Sequence, residues 1–207
     1  MLKKTIYISF ILTLTLSCGS SKFNVNHGIV LEPLSEEVKR EMKILDLEKS
    51  IGVVFPKEYE AEFNKGRLSN RFTPTENEIG EAEIEINKQY LDSGKRFAYN
   101  QNFVRFKDDP EWTLEERQRD FQNLMKWNKK EAKKSIKFDR QYLGFIENGQ
   151  KILVIQFIDF SEDPYGLKNQ LTKSWIGGWH GWFETNVRLK EYNMETKKLN
   201  SFGWPQL

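Results

Sequence analysis

The stretch at residues 141–160, QYLGFIENGQKILVIQFIDF, carries the clearest fold signal in the chain. Asn148 and Gly149 separate two hydrophobic segments, and an Asn-Gly pair accepts the positive φ angles of a type I′ turn. The second segment is apolar on both faces, with Ile152, Val154 and Ile158 on one side and Leu153, Ile155 and Phe157 on the other. The stretch therefore predicts a hairpin, 141–147 with 150–160, whose second strand is central and covered on both sides.

The residues downstream continue the period-two pattern. Phe183, Thr185, Val187 and Leu189 alternate with polar residues, which indicates a half-buried strand. Residues 193–197 are typical of a turn, and 199–204 of a last strand. Because helical patterns come first and a meander follows, we expect an α+β fold, with N-terminal helices packed on one face of a C-terminal antiparallel sheet of about four strands.

The segment before residue 66 carries weaker signals. Residues 28–34 suit a short strand or extended arm. Ser35 precedes two glutamates, which suits a helix N-cap, and a partly helical apolar pattern continues to Ile51. Pro56 opens a second short helical segment, 56–63.

Two capping boxes predict two longer helices. In each, a threonine is followed three residues later by a glutamate: Thr75 with Glu78, and Thr113 with Glu116. The first helix has one apolar face, made by Ile79, Ala82, Ile86 and Tyr90. The second is predicted to use Leu114, Phe121, Leu124 and Met125, and the lysines in its last turns suit the negative end of a helix better than a separate basic site.

Composition excludes several classes of protein. The chain has 207 residues, with 32 Lys+Arg, 30 Asp+Glu, 1 Cys and 2 His. One Cys excludes a disulfide scaffold, and so few Cys and His give no reason to expect a metal or another cofactor. Without residues 1–17, which hold Lys3 and Lys4, 30 basic and 30 acidic side chains remain. This balance argues against a nucleic-acid partner.

The N-terminus has the layout of a secretory signal. Lys3 and Lys4 precede an apolar run at 6–16, which is too short to span a membrane, and small Ser17 follows. Residues 14–19, LTLSCG, resemble the lipobox of bacterial lipoproteins, although Thr15 stands where that motif usually has Leu. An ordinary secretory signal with a chance Cys is the alternative.

The lipobox resemblance implies a lipid on Cys18. In that family the thiol receives a diacylglycerol, the chain is cut before the Cys, and the new amino group is acylated, so that the protein is anchored to a membrane. Gly19 stands where an Asp would favour the inner membrane, which implies the outer membrane. The expected organisation is a signal peptide at 1–17, a lipid-anchored tether at 18–34 and one α+β domain at 35–207.

A tryptophan-rich segment is the candidate binding site. The long connection at 161–178 leads into three Trp, one Phe and three Gly within 175–183. Indole rings stack on sugars and peptides, so a glycan or protein platform is one interpretation, made by Trp175, Trp179, His180 and Trp182. The alternative is that the indoles complete the core, and period-two counting lets at most Trp175 and Trp179 share a face.

No catalytic constellation is visible, so no catalytic residue is predicted. Asp159, Glu162 and Asp163 cluster after the central strand and suit acid–base chemistry or a solvated loop. His180 lacks a partner at a typical spacing. The first hypothesis is a non-enzymatic, lipid-anchored binding or structural domain of the cell envelope. An envelope glycan hydrolase that uses these carboxylates and an immunity protein are the alternatives.

Two further resemblances bear on these hypotheses. Residues 47–52, LEKSIG, and 56–59, PKEY, are similar to the opening of an immunity-protein fold, but the glycine-rich turn that should follow is absent. Residues 71–204 resemble a group of small uncharacterised bacterial proteins, many of them exported, through 72–75, FTPT, and 140–142, RQY. The second likeness implies export and the order of elements and says nothing about catalysis. That group usually has Asp-Gly-Gly where 180–182, HGW, stands here.

Overall fold

A computed structural model of the protein describes residues 24–26, 28–59 and 70–202. These residues form an α+β fold with two long helices and a mixed, mostly antiparallel sheet, which confirms the predicted class. The strands are β1 (Asn24–Asn26), β2 (Ile29–Pro33), β3 (Lys43–Asp46), β4 (Ile51–Val54), β5 (Arg71–Phe72), β6 (Asp139–Glu147), β7 (Gln150–Ile158), β8 (Ser174–Gly178), β9 (Val187–Asn193) and β10 (Lys198–Ser201). The helices are α1 (Glu36–Glu41), α2 (Glu76–Asn100), α3 (Leu114–Lys134) and α4 (Gly181–Asn186).

The larger sheet has the strand order β10-β9-β7-β6-β4-β3, and β5 also pairs with β6. All of its pairs are antiparallel except β4 with β6. The expected meander is present as β6-β7-β9-β10. The expected size of about four strands is wrong, because β3, β4 and β5 extend the sheet beyond β6.

The predicted hairpin is confirmed in detail. Glu147 pairs with Gln150, and Asn148 and Gly149 have φ angles of 51° and 78°. Residues 152–158 are all buried, as expected for a central strand. Alternate side chains of β7 belong to two different cores: the set at 153, 155 and 157 clusters with α2, and the set at 152, 154 and 158 clusters with β2 and β8.

The two capping boxes are also confirmed. The hydroxyls of Thr75 and Thr113 accept from the backbone N–H groups of Glu78 and Glu116, whose carboxylates accept in return. The apolar face expected on α2 is buried against the sheet. A π-helical turn, Gln101–Arg105, directly follows α2.

A second sheet has the order β1-β2-β8, all antiparallel. Its strand β2 covers residues that the sequence assigns to the tether, and Ile29 and Leu34 are buried in the core. Its strand β8, with a 3₁₀ turn at Leu167–Gln170, lies within the connection in which no element was expected. The strand or extended arm expected at 28–34 is thus the strand β2, whereas β8 was missed because it pairs with β2, more than a hundred residues away.

Two other predictions are wrong. The helix that starts at Ser35 ends at Glu41, and the apolar residues that follow form the β3–β4 hairpin, since β4 pairs with distant β6. Phe183 and Thr185 belong to α4 rather than to a strand, because the chain turns sharply at Gly181, where φ is 55°.

Some predictions extend beyond the described residues. Pro56 to Tyr59 forms a turn, in which the Tyr59 N–H donates to the Pro56 carbonyl over 3.1 Å, and the rest of that predicted helix lies outside the description. The last strand is β10, and residues 203–207 lie outside as well. So do the predicted signal peptide and Cys18.

Candidate functional site

The structure separates the three tryptophans of the predicted platform. Trp175 is fully buried and meets the Phe55 ring edge-on, with 5.5 Å between the centroids. Trp182 is half-buried, stacks on Phe160 at 5.9 Å, and donates from Nε1 to the Glu162 carbonyl over 2.6 Å. Only Trp179 is exposed, at 51%. The three indoles therefore form no common stacking surface, and Trp175 has a core role.

His180 lies beside Trp179 in an exposed turn. Its Nδ1 is 3.7 Å from a carboxylate oxygen of Glu184, and both side chains are largely exposed. Its φ of 61° places a non-glycine residue in a sparsely populated region, between Gly178 and Gly181. A weak, solvated ion pair of this kind does not organise a general base.

Two of the three carboxylates predicted after β7, those of Asp159 and Asp163, bind the local backbone, whereas Glu162 contributes its main-chain carbonyl to Trp182. Asp159 accepts from the Ser161 N–H over 2.9 Å. Asp163 accepts from the N–H groups of Leu167 and Lys168, each over 2.8 Å, and so holds the start of the 3₁₀ turn. The described residues contain no group of three His, Cys, Asp or Glu side chains suited to a metal ion. The geometry of Asp159 and Asp163 is that of loop caps.

Two buried ion-pair networks lie between the helices and the larger sheet, and neither was predicted. In the first, Arg140 of β6 lies 3.1 Å from Glu83 of α2, and the Tyr142 hydroxyl donates to the same carboxylate over 2.7 Å. Arg140 also donates to the Phe138 carbonyl and to the Ser50 hydroxyl. Burial raises the pKa of the Glu83 carboxyl, although Arg140 and Tyr142 act in the opposite direction.

The second network joins α3 to β9. Arg188 Nε lies 2.7 Å from Glu131 Oε1, and the guanidinium also covers the Trp127 ring at 4.5 Å. Lys190 is buried beside them, with its Nζ 5.2 Å from the centre of the Tyr90 ring. Burial raises the pKa of Glu131 and lowers the pKa of Lys190 to about 8. The network ties α3 to the sheet by charge, because the buried residues of α3 are Asn128 and Glu131.

One pattern in the sequence indicates these buried networks. Cations and tyrosines alternate with apolar residues on the strands, as Arg140 and Tyr142 do on β6 and Lys190 and Tyr192 on β9, and they point to the same face as Leu153, Ile155 and Phe157. A cation on the covered face of a strand indicates a buried anion opposite it. Which helical glutamates supply the anion depends on packing that the sequence pattern does not show.

We expect the buried Lys190 to make stability depend on pH. An unfolded Lys has a pKa near 10.4, so between pH 8 and 9.5 the unfolded chain holds a proton that the folded protein has released. Stability then rises with pH, by about 2 kcal/mol over this window. Urea unfolding of the wild type and of Lys190→Met at both pH values should show this rise in the wild type alone. Parallel changes in the two proteins would contradict it.

The α2–α3 hairpin extends beyond the sheet. Between Tyr90 and Ala132, a fully described stretch, no residue belongs to either of the two core clusters. The contacts with the sheet lie at the base of the hairpin, where Arg96 donates to the Leu199 carbonyl of β10 and Trp127 packs against Arg188 of β9. Since α2 rises 1.5 Å per residue, its last ten residues reach about 15 Å past Tyr90. The crossing of the two helices is close, because a Cβ on Gly94 would lie 2.6 Å from Asn128 Oδ1. We call residues 91–127 the helical arm.

The end of the helical arm carries exposed apolar side chains. Rings pack on one another here, with Phe103 between Tyr99 and Phe121, and Trp112 stacked on Phe106 at 5.7 Å. Four large apolar side chains remain between 37% and 56% exposed: Tyr99, Val104, Trp112 and Leu114. The expectation that Leu114 packs inward is therefore wrong. A cleft of about 320 Å³ beside Trp112 is lined by Glu111, Glu116, Arg119, Asp120 and Asn123.

The connection between α2 and α3 is held in place. Arg117 donates from Nη1 to the carbonyls of Phe106 and Lys107 over 3.1 and 2.7 Å.

No helix among the described residues is long and apolar enough to cross a membrane. The chain matches no protein-family model, no curated protein and no solved structure.

Proposed function

We propose that this protein is a lipid-anchored, non-enzymatic protein of the cell envelope that binds a protein partner through its helical arm. The single observation that carries the binding role is the arm itself: a helical hairpin beyond both cores with four large apolar side chains exposed at its end. Tyr and Trp are enriched at protein interfaces, where they contribute much of the binding energy.

Lipid anchoring rests on the N-terminal sequence. The sole Cys of the chain stands at the acylated position of a lipobox-like motif, after a basic flank and an apolar run. Two or more acyl chains hold a protein on a bilayer stably, whereas one does not. Gly19 after Cys18 favours the outer membrane within this proposal.

The layer arrangement suits an anchored binding protein. Residues of α2 cluster with the 153, 155 and 157 side of β7, and residues of the smaller sheet cluster with its opposite side. Within the proposed tether, residues 24–26 form β1, which belongs to the smaller sheet. The arm therefore belongs to the layer that lies farther from the anchor.

Binding is proposed rather than glycan hydrolysis because of what the loop carboxylates do. Asp159 and Asp163 are engaged with backbone N–H groups. A glycan platform is not proposed either, because Trp175 is buried and Trp182 is stacked on Phe160.

Site-specific crosslinking tests the binding role. A photoreactive residue at position 114 should form one discrete adduct in intact cells. The yield of this adduct should fall about tenfold in Tyr99→Ala, since truncating an interface aromatic removes about 1–2 kcal/mol or more of binding energy. Position 84 on α2 is the matched control, because Ile84 is a helical aliphatic residue of similar exposure away from the arm's end. Equal adducts at both positions, or no adduct at 114, would contradict the proposal.

A further inference from the structure

We propose that one edge of the smaller sheet rests on the bilayer that holds the lipid of Cys18, with Trp179 at the level of the lipid headgroups. This surface is made by residues 28, 30, 31 and 177–183, all of them at least partly exposed, and we call it the uncharged rim. The inference rests on the lipid anchor of the proposed function and adds the surface through which the domain meets the membrane.

The rim is distinguished by what it lacks. Its residues include no Asp, Glu, Lys or Arg, although 30% of the chain is charged. In three dimensions they form one surface, because β2 pairs with β1 on one side and with β8 on the other. A charged side chain costs much more free energy to bring against lipid than an uncharged one does.

Trp179 is the exposed aromatic residue of the rim. The backbone N–H of Trp179 donates to the Gly28 carbonyl over 2.9 Å, so its turn is bound to the connection between β1 and β2. The approach is tight, since a Cβ on Gly28 would lie 2.4 Å from the Trp179 carbonyl oxygen. The exposed indole thus belongs to a turn that packs closely against Gly28. An indole combines an apolar body with an N–H donor and is enriched at membrane–water interfaces.

The length of the tether places the rim next to the bilayer. Five residues lie between Cys18 and Asn24, the first residue of β1, and the six steps along the chain span at most about 20 Å. Asn24 pairs with Leu31, and β1 ends at Asn26, opposite Ile29 and beside the Trp179 turn. A lipid on Cys18 therefore holds this edge of the domain near the headgroups.

The chemistry of the rim indicates which kind of lipid surface it can contact. With no Lys or Arg, the rim gains nothing from anionic headgroups, so its contact is apolar and insensitive to salt. A zwitterionic bilayer is a sufficient partner. A protein partner at the same surface is the competing occupant, and the test below separates the two.

Fluorescence quenching by brominated lipid tests the inference. The acylated protein is purified from membranes, its Cys18 acyl group is verified by mass spectrometry, and it is reconstituted into phosphatidylcholine vesicles with brominated acyl chains. We expect Trp179→Phe to remove at least about half of the quenchable tryptophan signal at low and at high salt, because an interfacial indole lies close to the bromines. Trp112→Phe, on the helical arm, is the matched control and should leave the quenching unchanged.

The outcomes separate the two proposals. Quenching that is the same in Trp179→Phe and in the wild type, with the acyl group present, would overturn the rim while leaving the anchor intact; a protein partner would then be the better occupant. Loss of quenching in Trp112→Phe would show that the helical arm faces the bilayer, and it would also contradict the proposed contact between the rim and the bilayer. A protein that carries no acyl group on Cys18 would overturn both proposals.

Discussion

Arg140→Met is expected to lower the free energy of unfolding by about 3–5 kcal/mol, the typical loss when one member of a buried ion pair is removed. Arg140 and Glu83 are 1% and 8% exposed, and their charged groups lie 3.1 Å apart. Methionine fills much of the same volume but leaves the Glu83 carboxylate without its cation. The Ser50 hydroxyl and the Phe138 carbonyl lose a donor as well.

The pH dependence of the loss gives a sharper test. Burial already raises the pKa of the Glu83 carboxyl above its value in the unfolded chain, and removing Arg140 raises it further. When a carboxyl has a higher pKa in the folded protein than in the unfolded chain, the folded protein loses stability as pH rises through the interval between these two pKa values. The defect of Arg140→Met should therefore be smaller at pH 5 than at pH 8 in urea unfolding.

A double-mutant cycle isolates the pair. Glu83→Gln in the Arg140→Met background removes the unpaired charge and should recover part of the lost stability, so that the two substitutions are not additive. Lys39→Met is the control, because Lys39 and Glu36 form an exposed pair on α1 and its loss should not shift the unfolding curve. Additive effects of Arg140→Met and Glu83→Gln would contradict the buried-pair interpretation.

Cys18→Ser is expected to abolish lipid attachment completely. A hydroxyl does not replace the thiol that the lipobox resemblance assigns as the acceptor, and the sequence contains no second Cys. Cells fed labelled palmitate should incorporate it into the wild-type protein and not into the variant. Ser20→Ala is the matched control, since it changes a neighbouring polar residue and keeps the thiol. Equal labelling of the wild type and Cys18→Ser would contradict acylation at this position.

The elements predicted correctly are those fixed by neighbours in the sequence. The Asn148-Gly149 turn and the two capping boxes each depend on backbone groups within four residues, so a local pattern is enough to define them. The strand at 150–158 could be predicted because its apolar residues fill both faces. In each case tertiary contacts agree with local preference.

The elements missed are those fixed by distant partners. Residues 43–54 carry a partly helical apolar pattern, but Val53 and Val54 point to opposite cores, and β4 pairs with β6 across the intervening helices. In the same way β8 becomes a strand by pairing with β2. Long-range pairing overrides weak local preference, and a single sequence does not reveal it.

The candidate site was likewise predicted only in part, because some of its features depend on contacts between distant residues. The sequence singled out Trp179 and His180 by residue type, and both lie in an exposed turn. It also grouped Trp175 with them, although the register of β8 turns that indole into the core. The helical arm was not recognised as a site, because whether Tyr99 and Leu114 are buried depends on where the sheet ends beneath α2.

The mass of the N-terminal peptide, measured on protein isolated from its native cells, tests the lipid anchor on which both proposals rest. We expect a peptide that begins at Cys18 and carries a thioether-linked diacylglycerol and an acylated amino group. A peptide that begins at Met1, or a Cys18 without any acyl group, would contradict the lipid anchor, and the rim contact and the orientation of the helical arm would fall with it.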